Sequence, residues 1–319
     1  MFHDAFRRLL ESIAPPAAVR AAETQPGPPP CWDAILESGF LDILLPESAG
    51  GAALVLTDFH ALAAACGEVA LPAPYSETAV ARLLLHSRNA AAPADAAILL
   101  APPSAILPLA AHATHALTPR GDLWALVPVR LTGEDPFHCG GGTIDTTAPA
   151  VLEVPSNGES LAAIAAALAA ARLAGHMARL LTMTVEHANA RQQFGRPLAK
   201  FQAIQHQLAL MAEQLVSASA ASQIGLSGPG FDPLRCALAK CRTSEAAPEI
   251  AAIAHAVHGA IGATADYDLQ LHIRRVKQLQ LAFGGTDHWA QHIGSARIAA
   301  PDGTGADFIR THLQAGTPA

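Results

Sequence analysis

Between Ser160 and Val185 the chain contains no acidic residue, and in "LAAIAAALAAARLAG" (161–175) only Arg172 interrupts the alanine, leucine, isoleucine and glycine. Alanine and leucine are the strongest helix formers, so the stretch 160–190 reads as one helix of about thirty residues, roughly 45 Å long at 1.5 Å per residue. A helix that is apolar all round has to be wrapped on every side by other protein. This single feature requires a helical bundle around a long central member. Arg172 also keeps any apolar run below about 18 residues, so no transmembrane helix is expected.

The rest of the chain supplies the wrapping. After the turn "RQQFGRP" a second long helix runs over about 199–225, and a third over about 233–259, with Pro248 as a possible kink point. Shorter helices at about 268–280 and 286–299 complete a bundle assigned to residues 158–300, and 301–319 reads as a tail. Residues 1–87 form a small helical domain: an amphipathic helix over 1–20, a second in "CWDAILESGF" closed by Gly39, one capped by Thr57 or Asp58, and one at 76–86. Residues 88–157 change character to short Val, Leu and Ile runs bounded by proline and glycine. They read as a reduced β domain of about five antiparallel strands. "HCGGGTIDTT" (138–147) reads as a flexible loop, and with no Lys-Ser/Thr pair after it, it is not a phosphate loop. The fold class is mainly α with a small β domain.

Composition narrows the function. The chain is 51% hydrophobic but only 5% aromatic and 15% charged, which favours helix and leaves apolar faces for another subunit to cover. A net charge of −7 argues against nucleic acid as the main partner. The five cysteines are scattered without metal-ligand spacing, as expected of reduced thiols in a cytoplasmic protein. The N-terminal stretch lacks the apolar core of a signal peptide. His255 with His258 and His288 with His292 share helix faces, but without carboxylate partners no metal site is expected.

The order of elements, together with "RQQFG…FQAIQHQLALMA", resembles the acyl-CoA dehydrogenase family. "WDAILESGFLDILLPESAGG", "AVHGAIGATADYDLQLHIRRVK" and "FGGTDHWAQHIGSARIA" resemble that family's N-terminal pattern, its His-Gly-Gly-x-Gly turn and its Tyr-Glu-Gly-Thr segment. The resemblance covers nearly the whole chain. Members bind FAD between two subunits, and it implies that Arg191 holds the diphosphate, Phe194 packs against the cofactor and Gly195 allows the tight turn. Gln202 and the Gly259–Gly262 turn would line the adenosine side, with Gln193, Val257 and Thr286 completing the expected cofactor-binding set.

The departures carry as much as the matches. Family chemistry needs a carboxylate base to take the α proton of an acyl-CoA thioester while the β hydrogen leaves as hydride to the flavin. Where many members carry that glutamate, this chain has Phe283-Gly284-Gly285-Thr286, and the alternative position on the long helix is Ala165. Asp287 is the nearest acid, read as a helix cap rather than a displaced base. Ala256 replaces a Gln that contacts the flavin, and the ring-holding segments of the family's middle domain are missing. The chain resembles the shorter, degenerate subunit of bacterial α2β2 dehydrogenases of steroid side-chain catabolism. That resemblance implies a non-base-bearing subunit that shares FAD with a larger, glutamate-bearing partner, with an acyl-CoA substrate and an electron-transfer flavoprotein as acceptor. Two alternatives stay open: a self-sufficient homo-oligomer using Asp287, and a non-catalytic scaffold.

Overall fold

The structure, a computed structural model, describes residues 2–104, 106–300 and 303–312. Five helices open the chain: α1 (Phe2–Ile13), α2 (Pro16–Ala22), α3 (Cys31–Glu37), α4 (Leu56–Glu68) and α5 (Tyr75–His86). The single helix expected over 1–20 is two, because Pro15 sits extended at φ −62°, ψ 154° and Pro16 restarts the helix at its first position. Gly39 takes φ 76° just beyond α3, as a C-terminal glycine should. Neither Thr57 nor Asp58 caps α4; the flanking residue is Val55, whose side chain makes no capping bond.

The middle region holds β1 (Ile98–Leu100), β2 (His115–Arg120), β3 (Leu123–Pro128), β4 (Leu131–Gly133), β5 (Thr143–Ile144) and β6 (Leu152–Pro155). These make a four-stranded sheet in the order β1-β2-β3-β6 and a separate β4-β5 pair. The expectation of an all-antiparallel region fails at β1, which runs parallel to β2 with Ile98 opposite His115. A parallel neighbour needs a crossover longer than a hairpin turn, and residues 101–114 provide it.

Then come α6 (Leu161–Ala190), the two-residue strands β7 (Gln192–Gln193) and β8 (Arg196–Pro197), α7 (Gln202–Gly225), α8 (Pro233–His258), α9 (Leu269–Leu281), α10 (Thr286–Ala299) and α11 (Gly305–His312). The side chain of Ser160 caps α6 by accepting from the Ala163 amide at 3.2 Å. α6 is long and apolar enough to cross a membrane by length and composition alone, with a mean hydropathy of 1.5 over its most apolar stretch. Yet 89% of that stretch is buried inside the protein, so α6 is the core helix that the other helices wrap. α8 runs continuously through Pro248. Part of the expected tail docks: Phe308 of α11 is buried, with Arg297 lying over its ring. Residues 301–302 and 313–319 of that tail lie outside the described residues.

Small residues let α6 sit close to its neighbours. A Cβ on Gly67 of α4 would lie 2.1 Å from the Arg172 carbonyl oxygen, and one on Gly175 of α6 would lie 1.9 Å from that of Ala64. The two helices therefore cross backbone against backbone. A polar seam runs beside this crossing. Arg172 donates to Glu77 at 3.1 Å and to the Leu71 carbonyl at 3.2 Å. One turn on, His176 meets His272 of α9 through their Nδ1 atoms at 3.1 Å.

Candidate functional site

The turn after α6 is a hairpin tip. β7 and β8 pair antiparallel, and the two residues joining them, Phe194 and Gly195, take φ of 50° and 80°. Two successive positive φ values define the turn that matches strand twist in tight hairpins. Phe194 is held outward, 89% exposed. Its ring meets the edge of Phe201 at 6.1 Å, and Arg196 lies over the Phe201 ring at 4.1 Å. Arg191 closes α6, its amide bonded to the His187 carbonyl at 2.9 Å.

Facing this tip is the end of α8. Gly259 takes φ 64°, ψ −143°, a region open essentially to glycine alone, and nothing lies within 4 Å of where its Cβ would be. The backbone bend leaves a cavity of about 460 Å³ lined by His187, Arg191, Gln193, Leu198, Ile204 and residues 256–261. No carboxylate lines it. Arg191 makes no ion pair among the described residues. A half-enclosed, net-cationic hollow with a free guanidinium fits an anionic group such as a diphosphate.

Four of the expected residues, Arg191, Gln193, Val257 and Gly259, line this one cavity. Gly262 lies behind it: a Cβ there would come within 3.0 Å of His258 Cβ and Leu269 Cδ2, so the glycine serves close packing. Gln202 opens α7 on the exposed surface and Phe194 points away at the hairpin tip, and neither lines the wall. Thr286 is elsewhere. Its carbonyl meets Cys241 Sγ at 3.6 Å, sixteen residues or about 24 Å along α8 from Val257.

Sequence reasoning missed His187, and weighed His258 only as a metal ligand. His187 stands one helical turn before Arg191, a spacing that puts both on one helix face. The His187 and His258 rings stack with centroids 4.4 Å apart. Burial lowers the pKa of each, and the Arg191 charge lowers that of His187 further.

The opposite end of the bundle is filled. Phe283, at φ 58°, packs against all three hydrophobic clusters of the protein, and its carbonyl accepts from Trp289 Nε1 at 3.0 Å. A Cβ on Gly284, itself at φ 90°, would fall 2.6 Å from His288 Cδ2 and 2.9 Å from Trp289 Nε1. A glutamate there would sit at a strained positive φ and would have to push the His288 and Trp289 rings aside. Ala165 is buried in the largest cluster. Asp287 is exposed, and the flanking position it was expected to cap belongs to Gly285. Its place in the first turn of α10 favours the helix dipole only.

The glycine loop expected to be flexible is packed down beside this filled end. Asp135 accepts from the amides of Phe137, Cys139 and Gly141 at 3.0, 2.8 and 3.1 Å and from Gln278 Nε2 at 2.9 Å. Those amide bonds hold its carboxyl below the usual range against the opposing effect of burial. The loop thus spends its anion-binding amides on an internal carboxylate. A Cβ on Gly140 or Gly141 would strike His112 or Gln278 at 2.3 Å, which explains the glycines.

Residues 160–298 match the family described as acyl-CoA dehydrogenase, C-terminal domain. Acyl-CoA dehydrogenase IpdE2 of Mycolicibacterium smegmatis is 30% identical over 282 residues, covering 84% of this chain and 88% of the relative. Among solved structures, the Tcur3481-Tcur3483 steroid ACAD superposes with a TM-score of 0.79 at 23% identity, covering 94% of this chain and 98% of the other. The ChsE4-ChsE5 complex from Mycobacterium tuberculosis gives 0.75 at 21%, covering 93% and 96%. A helical unit, a small sheet and a long-helix bundle in this order define an acyl-CoA dehydrogenase-type fold. The chain belongs to the acyl-CoA dehydrogenase family. Membership implies an oxidoreductase that works with FAD.

Proposed function

We propose that this chain is the non-base-bearing subunit of a heteromeric FAD-dependent acyl-CoA dehydrogenase, supplying the adenine and diphosphate side of a flavin site shared with a larger partner. The observation that carries the reading is the contrast between two places. The Arg191–Gly259 cavity is open, cationic and free of acids, whereas a glutamate at position 284 would collide with His288 and Trp289.

In this reading Arg191 orients the diphosphate, Gly259 lets the backbone approach it, and Gln193 and Val257 flank it. The exposed Phe194 packs on the cofactor only when a second subunit is docked, and Gln202 and Thr286 have no direct part. FAD when bound supplies the hydride acceptor; the base comes from the partner. The substrate class is a bulky acyl-CoA of the steroid side-chain type, a reading supported by neighbours described as a steroid ACAD and as a two-chain complex. An electron-transfer flavoprotein is the proposed acceptor and the cytoplasm the proposed compartment. The exposed position of Asp287 gives a self-sufficient enzyme no support.

The absorption spectrum tests this directly. The chain purified alone is expected to be colourless, and yellow at one FAD per pair when it co-purifies with a larger dehydrogenase chain. A yellow chain carrying one FAD by itself would sink the shared-site reading.

A further inference from the structure

The wall of the Arg191 cavity holds two imidazoles to which the reading above gives no task. His187 and Arg191 lie one turn apart at the end of α6, and both line the cavity. The His187 ring lies nearly flat on His258, with planes 28° apart, and Tyr267 flanks His258 at 5.3 Å. His258 Nδ1 donates to the Ala254 carbonyl at 2.8 Å, and its Nε2 is buried without a partner. The two rings are therefore unequal. His258 is 5% exposed, with its tautomer set by Ala254, and another proton on Nε2 would find no acceptor there. His187 is half-buried at the lip, beside the one guanidinium of the cavity.

We propose that His187 is a second ligand of the diphosphate, beside Arg191, and that it takes up one proton from solvent as the anion binds. The inference rests on the reading that this chain supplies the diphosphate side of the flavin site. The charged and titratable groups around the pair are few. α6 brings Arg179, Glu186 and Arg191; α8 brings His255; the following segment brings Tyr267, with Asp268 next to it. The wall contributed by Leu198, just before α7, and Ile204, in its first turn, is apolar.

In the free cavity, burial and Arg191 both oppose a proton on His187, keeping its pKa below the usual imidazole range. An anion on Arg191 cancels the second opposition and adds an attraction. His258, held neutral by burial, adds no opposing charge to the new imidazolium stacked on it. Phosphate oxygens accept from His187 and Arg191 together. The proton comes from water, and no other bond is made or broken.

The test uses the full chain with ADP as probe and reads histidine ring resonances against pH, with His187→Gln identifying the His187 signal. The expected result is a His187 pKa below about 6.5 in the free chain that rises by about half a unit or more with saturating ADP. By linkage, half a unit corresponds to ADP binding that tightens by up to about threefold as the pH is lowered from 8 to about 5. His187→Gln should flatten that dependence, and so should His187→Phe, which keeps a ring on His258 but cannot titrate. The inference falls if the His187 signal stays put when ADP binds, if either variant keeps the pH dependence, or if adenosine without phosphate moves the signal equally. ADP binding with no pH dependence overturns this inference and leaves the shared-site reading standing. No ADP binding at either pH also overturns this inference, while the shared-site reading stands or falls on the spectrum of the two-chain complex.

Discussion

The two ends of the bundle use the same backbone device for opposite purposes. At the α8 end, Gly259 takes a positive φ and faces open space, so the bend creates a hollow. At the α10 end, Phe283 and Gly284 also take positive φ, but there the bend turns an aromatic ring inward, and a side chain at 284 would press on the His288 and Trp289 rings. One bend opens a hollow with Arg191 and His187 on its wall, and the other seals apolar wall. A left-handed turn is therefore not a mark of a binding site until the space beyond it has been examined.

The sealed interior is the easier half of this contrast to break, and acid does it. Burial lowers the pKa of His60 to about 4 and of His272 to about 3, and pushes that of His176 well below the imidazole range. Folded-state values below the unfolded one mean that the unfolded chain binds protons first. Stability is intact above about pH 6.5 and lost as pH falls toward 4 and 3, at up to about 1.4 kcal/mol per unit for each histidine. Loss of the fold by about pH 4 is the expected result, read by circular dichroism. An acid-stable fold would mean that these rings reach water.

Gly284→Glu comes next. Strain at φ 90° and overpacking against Trp289 together should cost about 3 kcal/mol of stability. Denaturant unfolding measures it, and the chain alone should gain no dehydrogenase activity. A stable, active variant would show that the sealed end is only a missing side chain.

At the open end, Arg191→Ala should weaken ADP or FAD retention about tenfold, the worth of one charge-assisted pair. Unfolding should move by less than about 0.5 kcal/mol, because Arg191 is exposed and unpaired. Smallest of all is Asp287→Asn, for which turnover of the assembled complex should not change. Lost turnover would put a base on α10 and revive the self-sufficient enzyme.

Much of the fold was legible because it rests on composition over long windows. The alanine run announced α6, and the Pro and Gly positions punctuated the strands and helix ends. What stayed hidden depends on neighbours distant in sequence. The parallel pairing of β1 is set by a crossover that no local pattern encodes. The glycines at 140 and 141 read as flexibility, yet they are close contacts with His112 and Gln278, residues 28 and 137 positions away.

The site divides the same way. Arg191, Gln193, Val257 and Gly259 come together because the turn and the helix end that carry them face each other. Thr286 was grouped with them by resemblance alone, and the length of α8 keeps it apart. His187 was readable from its spacing to Arg191, but its stacking on His258 requires the bundle to be closed.

The backbone crossing at Gly67 and Gly175 has a mechanical consequence. With a carbonyl seated where each Cβ would be, α4 and α6 are interlocked like a halved joint in carpentry, and neither can slide along the other without first prying apart. The opening helices and the bundle then transmit load as one beam. A subunit gripping the exposed hairpin tip would pull on the whole frame rather than on a hinge.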